Sequence, residues 1–417
     1  RLGDLHPHAL ALPLLIVLAG AAGRFRGAAG VLLDAALLGA LLSANPWDVP
    51  AVLLIVAAGN LARRAVGPSI LRFAATLAAS SLFLAPFLLS PRPPFLGLAL
   101  SPLGTTSPEA FLHFGSLLTI PALALGIALV RSRAVVEESF LLATLFPALG
   151  IALSIVTGRP VLGLGVAFCL GAMALLHRTE GAMRAGLLLG VCGATMAVLP
   201  DVVVVVDTYG EEYKRMNTLF KCWAAAAPLL ALATALLLPL VLATRRARVT
   251  IRVLVAAALA ASLVHPIAAV AQRAASSGGT LDALSFMTRG DRRAVQWLRT
   301  HAAPEDILAE APGASYDLHA RIGTGSGRAT LLGWSAHEGI WRGEKGQPEI
   351  DARLRDLKRL YTVPDPAAAA EILRRRRVRF IVVGALERTD FGERAFPAAP
   401  SFTKVFDAEG TALYQAP

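Results

Sequence analysis

The sequence predicts an α-helical polytopic membrane protein with about ten transmembrane helices, closed by a small C-terminal α/β soluble domain. Three observations carry that prediction. Hydrophobic residues make up 55% of the 417-residue chain and charged residues only 17%, a balance that excludes an ordinary soluble globular protein. Apolar runs of bilayer-crossing length recur up to about residue 271, separated by short loops. Beyond that point charge rises and the apolar runs shorten.

Taken in order, the runs fall at 8–23, 28–44, 49–66, 70–89, 111–130, 134–156, 160–177, 184–206, 219–243 and 249–271. Pro13, Pro147 and Pro228 lie inside them, as membrane helices allow when neighbouring helices re-satisfy the freed backbone groups. Every second connection is basic: Arg24 and Arg26; Arg63, Arg64 and Arg72; Arg131 and Arg133; Arg178 and Arg184; Arg245, Arg246, Arg248 and Arg252. The intervening connections, 45–49, 90–110, 157–160 and 207–218, carry little free basic charge. The positive-inside rule puts the arginine loops in the cytoplasm, so the N-terminal end, the 45–50 and 207–218 loops and the tail after the tenth run are expected outside a multi-pass plasma membrane protein. One missed or surplus helix would break this alternation.

The domains are expected at 1–271 for the transmembrane helices, 272–280 for a Ser/Gly-rich linker and 281–417 for an extracytoplasmic domain. Within the last, 291–301, 350–361 and 367–377 have helical spacing, 307–311 and 378–383 read as strands, and 403–406 with 412–414 as a hairpin closing across 407–410. Gly323–Gly327 lacks the strand-to-helix setting of a dinucleotide loop and reads as a flexible turn. The net charge of +11 sits in the membrane-flanking clusters, so orientation explains it and no nucleic-acid partner is expected. Cys169, Cys192 and Cys222 lie in or beside apolar runs without CxxC spacing, and read as small core residues. The chain opens at Arg1 without a Met, and a longer natural N-terminus is expected.

Four polar constellations stand out. Asp4, His6 and His8, stiffened by Pro7, place one carboxylate and two imidazoles where they can converge on a divalent cation or a phosphate, or simply meet water at the interface. Asn45, Trp47 and Asp48 form a tight outward loop. Its plainest reading is structural: a helix break, an interfacial tryptophan and an Asp48 cap on the next helix. The stretch from Asp207 through Tyr213 to Lys221 is the most polar near the membrane. Arg215, Asn217 and Lys221 open a helix at its outward end, where the dipole adds to their attraction for a lipid phosphate or pyrophosphate. The competing reading is a cap salt-bridged by Glu211 and Glu212. Trp334, His337, Glu338, Trp341 and Arg342 combine aromatic faces with polar edges, which suits a sugar or equally seats the domain on the membrane.

Together with Trp297–Asp306, Gly333–Glu338 and Phe380–Arg388, these motifs resemble the YYY membrane-protein family, uncharacterised polytopic proteins of bacteria and archaea. Its members look like relatives of the C-type glycosyltransferases. The family pattern matches here as Gly3-Asp-Leu-His-Pro-His8, Asn45-x-Trp-Asp-x-Pro50 and Arg215-Met-Asn-Thr-x-Phe-Lys221. The tyrosine run and the early acidic loop of that pattern would lie before Arg1. After Lys221 the chain departs from it with Cys222-Trp223-Ala224. The resemblance implies transfer of sugar from a polyprenyl-phosphate donor to an unknown glycan or protein acceptor outside the membrane. Asp4 would be catalytic, Asp4, His6 and His8 would hold a divalent metal (Mg or Mn), and Arg215, Asn217 and Lys221 the donor phosphate. Asn45, Trp47, Asp48, Asp207, Tyr213, Trp334, His337, Glu338 and Arg342 are further candidates. The competing classes are a flippase for lipid-linked sugars and a non-catalytic envelope scaffold; the Ala, Leu and Val of the helix centres argue against a polar transport path.

Overall fold

The computed structural model describes residues 7–22, 24–25, 27–62, 66–89, 97–132, 137–206, 215–243, 248–276 and 282–417. Two compact units emerge, dividing at Ser276/Ser277. The first is a helical bundle: α1 (Pro7–Ala21), α2 (Gly27–Ala44), α3 (Val49–Leu61), α4 (Val66–Leu88), α5 (Ser107–Ser132), α6 (Glu137–Thr157), α7 (Pro160–Leu175), α8 (Gly181–Val198), α9 (Met216–Leu242) and α10 (Arg248–Ser276). Among the described residues five stretches are long and apolar enough to cross a membrane: Gly27–Ala44, Pro68–Ala85, Gly181–Asp201, Met216–Leu242 and Val249–Ala275. Shorter apolar stretches among the described residues lie at Leu10–Ala21, Pro46–Leu61, Leu117–Val130, Leu145–Thr157 and Pro160–Leu175.

Helix α8 is the centre of the bundle. Of its membrane-length window 61% is buried, against 12% for α10. Small residues make this possible. A Cβ on Gly186 would meet Leu237 Cγ at 2.5 Å and one on Gly193 would meet Leu230 Cγ at 2.7 Å, so α9 packs against glycine backbone on this face. Arg72, which the sequence suggests for a cytoplasmic loop, lies instead inside α4. Its guanidinium bonds the buried Asp34 of α2 at 2.7 Å, a pairing that lets both charges leave water. Two short strands, β1 (Leu98–Leu100) and β2 (Val203–Val205), pair antiparallel at the bundle end where α8 finishes.

The second unit is an α/β domain: α11 (Arg289–His301), β3 (Ile307–Ala309), α12 (Arg321–Ser326), β4 (Ala329–Thr330), α13 (Ser335–Arg342), α14 (Gln347–Thr362), α15 (Pro366–Arg376), β5 (Val378–Val383), α16 (Ala385–Phe391), β6 (Thr403–Ala408) and β7 (Thr411–Gln415). Its sheet runs β4-β3-β5-β7-β6, with β4, β3 and β5 parallel and the β6–β7 hairpin antiparallel. Strand β5 is buried at five of its six positions, as a strand covered on both faces requires. The turn expected at Gly323–Gly327 is a helix, α12, for a reason outside its own residues. The backbone N–H groups of Ile322 and Gly323 donate to the buried Glu310 carboxylate at 2.9 and 2.8 Å, satisfying the helix start. Arg321 of the same turn is locked between Asp291 at 2.7 Å and Glu387 at 3.1 Å. Helix α10 continues through Gln272 to Ser276, into the stretch expected as linker.

Candidate functional site

One end of the bundle gathers polar side chains from four loops. The 3-10 turn Leu199–Asp201 follows α8 directly, and Pro200 turns the chain so that Asp201 is fully buried. Asp201 Oδ1 accepts from the Thr105 backbone N–H at 3.0 Å and from the Thr105 hydroxyl at 2.6 Å, just ahead of α5. Arg215, the residue before α9, donates to the same Oδ1, to Thr105 Oγ1 at 2.5 Å and to the Pro200 carbonyl at 3.2 Å. Arg159, ahead of α7, donates to the Asp201 carbonyl and to Ser101 O at 2.8 Å. Arg215 thus pairs with the Asp201 carboxylate while Arg159 holds its backbone carbonyl, and Asp201 Oδ2 has no hydrogen-bond partner among the described residues. Thr106 and Glu109 form a capping box on α5, the Glu109 carboxylate taking the Thr106 N–H at 2.8 Å and the Thr106 hydroxyl taking the Glu109 N–H at 3.4 Å.

Beside this cluster the second and third sequence motifs meet. Lys221 of α9 holds its ammonium 3.6 Å from the centre of the Trp47 ring, a cation–π contact. Asp48 lies within electrostatic reach of the same ammonium. Asp48 is also buried, but its side chain makes no cap bond to α3, so the expected helix cap is not what it does. Asn45 is 1% exposed and accepts the Asp48 N–H through its carbonyl at 3.1 Å. Trp223 packs its ring on His113 at 4.6 Å and Phe114 at 5.0 Å. Its indole N–H donates to Ala197 O at 3.1 Å, tying α5, α8 and α9 together.

Arg215, Lys221, Asn45, Trp47 and Asp48 are therefore brought to one end of one unit. Asn217 lies in the first turn of α9. Asp4, His6, Asp207 and Tyr213 fall outside the described residues, as does the side chain of His8, whose backbone belongs to α1. Among the described residues no group of three His, Cys, Asp or Glu is placed to hold a metal. Asp201, Thr105, Arg159 and His113 were not singled out by sequence reasoning. The Thr-Thr-Ser-Pro-Glu capping signature at 105–109 and a lone acid after Leu199-Pro200 were the available signals.

In the α/β domain, Trp334 donates its indole N–H to His319 O at 3.0 Å and packs on Tyr316 at 5.3 Å and His337 at 5.9 Å. Glu338 bonds Arg342 at 3.0 Å, a one-turn helical pair on α13. His319 sits between Asp390 at 2.8 Å and Asp317 at 2.7 Å. Burial works against its imidazolium, but the hydrogen bonds and charges of Asp390 and Asp317 outweigh it and hold His319 above the usual histidine range.

No curated protein and no solved structure matches the chain. The sequence model of one family, described as an uncharacterised membrane protein family (DUF2298), matches residues 1–230, more than half of the chain, and ends within α9 after the polar cluster is complete. Bilayer-length apolar helices and this match agree: the protein is a multi-pass membrane protein and belongs to the DUF2298 family.

Proposed function

We propose that the protein is a membrane-embedded glycosyltransferase that takes sugar from a polyprenyl-phosphate donor and passes it to an acceptor on the extracytoplasmic side of the plasma membrane. The observation that carries this reading is the meeting of the 45–48 loop with the opening of α9, distant in sequence, beside Asp201, Arg159 and Arg215. A phosphate at the membrane surface is a chemically fitting guest for that cluster, because guanidinium and ammonium groups at a helix start stabilise an anion and a departing phosphate. In this reading Arg215, Asn217 and Lys221 receive the donor phosphate. Asp4 serves catalysis and, with His6 and His8, holds a divalent cation (Mg or Mn). All ten helices of the bundle cross the bilayer, and the α/β domain stands outside.

The structure adds a constraint: Arg215 is already neutralised by Asp201, so it binds a phosphate only alongside that carboxylate or by exchanging partners. Lys221 gives a second test. Full-length protein in vesicles, supplied with radiolabelled polyprenyl-phosphate hexose, is expected to transfer the label to an acceptor, and Lys221→Met and Arg215→Ala are expected to abolish transfer while the protein stays folded in the membrane. Wild-type turnover in both variants removes the site from the mechanism. A second reading, transport of the lipid-linked sugar, draws support from the buried Asp34–Arg72 pair and from Asn60 and Thr76 inside the bundle, polar groups within helices that the sequence reads as apolar. Movement of label across the vesicle without transfer selects that reading.

A further inference from the structure

A cleft of about 620 Å³ opens in the α/β domain, where α13, α14 and the end of α15 converge on the start of β3 and on β4. Its floor is apolar, from Ile307, Ala329 and Leu331, and its volume is in the range that small-molecule sites occupy. Five arginines line it, Arg342, Arg353, Arg375, Arg376 and Arg377, together with His337; among the described residues the one lining acid is Glu338. We infer that this cleft binds a small phosphate ester.

Helix dipoles give only part of an account of the arginines. Cations in the last turn of α15 are favourable there, which explains Arg374 to Arg376 taken alone. It does not explain why Arg342 and Arg353, from two other helices, face the same space. The acids that pair with these arginines mostly stand behind them. Arg376 is held by Asp356 at 2.6 Å and Glu349 at 2.7 Å, and Arg375 by Asp356 at 2.6 Å. Arg353 is held by Glu349 at 2.9 Å and by the Leu331 carbonyl at 3.1 Å. Glu349 and Asp356 are not part of the lining, so they orient the guanidiniums without filling the cleft. Such preorganised planar donors match the oxygens of a phosphate in pairs.

Two groups are left to receive a ligand. The Arg377 side chain makes no hydrogen bond or ion pair with any described residue, and its backbone has φ +55° at the end of α15, a left-handed position that glycine usually fills. The buried Nδ1 of His337 likewise has no partner among the described residues. The exposed ring of Tyr316 stands 5.7 Å from the His337 ring, an aromatic face beside the anion site on which the organic part of an ester can rest.

This site is independent of the proposed transferase centre, and the test separates them. The full chain in nanodiscs of zwitterionic lipid is titrated with glucose 1-phosphate by calorimetry. Saturable binding is expected, at least about tenfold weaker in the double variant R342Q/R377Q, partly retained in R342K/R377K, and unchanged in R215A. The melting temperature of the double variant is expected to match the wild type, since the Arg377 side chain has no partner among the described residues and Arg342 has only an exposed one-turn pair. The inference is overturned if the wild type shows no saturable binding up to about 10 mM, if R342Q/R377Q binds like the wild type, or if the loss follows R215A instead. It is also overturned if phosphatidylglycerol in the nanodisc displaces the ester, which would reassign the cleft to a lipid headgroup.

Discussion

Asp201 joins two arginines at the polar end of the bundle, with Arg215 bonded to its carboxylate and Arg159 to its carbonyl. Removing one partner of a buried pair leaves the other charge uncompensated, a loss of about 3–5 kcal/mol. Asp201→Asn and Arg215→Gln are each expected to lower the unfolding midpoint in detergent, and the double variant to recover part of the loss; additive losses would show that the pair is not coupled. In the α/β domain, burial pushes the Glu310 carboxyl up to about 7, against the opposing pull of the Gly323 N–H, the Arg321 charge and the Ile322 N–H. A folded-state pKa raised above the unfolded one means that the stabilisation is complete below the unfolded value and is lost as pH rises through the folded value. Stability of this domain should therefore fall from about pH 4.5 to about pH 7, by at most about 3 kcal/mol from this group. His319, also raised, adds loss in the same direction at higher pH. Hydrogen exchange of the domain at several pH values checks this, with Glu310→Gln expected to flatten the lower part of the profile.

Among the elements, α8 and α9 depend on glycine. Gly193→Val would drive a side chain into Leu230, whose Cγ already stands 2.7 Å from the ideal Cβ position. The helices would have to separate over a contact that is central to the bundle, so a loss of several degrees in melting temperature is expected, while the same change at Gly126, with open space around it, is expected to be mild. The elements of the α/β domain were the more legible part of the chain. Val378–Val383 is a short β-branched apolar run and forms β5 over those residues; the hairpin at 403–415 follows from alternation on either side of Glu409-Gly410. Helix α12 was not legible, because Glu310 caps it from another part of the chain.

For the whole molecule, the alternation of basic loops makes a claim about sidedness that labelling can check. Cysteines introduced at Thr389, exposed on α16, and at Ala182, exposed at the start of α8, are expected to react differently with an impermeant maleimide on intact cells: Thr389→Cys at once, Ala182→Cys only after permeabilisation. The native thiols add little background, since Cys192 and Cys222 are buried and Cys169 is half-buried. Reaction of both introduced cysteines from outside would remove the compartment that the proposed transfer needs.

By itself the sequence determined the class of the protein, the order of its helices and the nature of its tail domain, since hydropathy, loop charge and residue period act locally and survive without neighbours. It also flagged Asn45, Trp47, Asp48, Arg215 and Lys221 as unusual residues for their positions. The tertiary structure alone decided their partners: Lys221 against Trp47, Arg215 against Asp201, Arg72 against Asp34 and five arginines around one cleft. Burying a charge is costly unless a specific opposite group is brought to it, and which group arrives is fixed by helix packing between segments far apart in the chain.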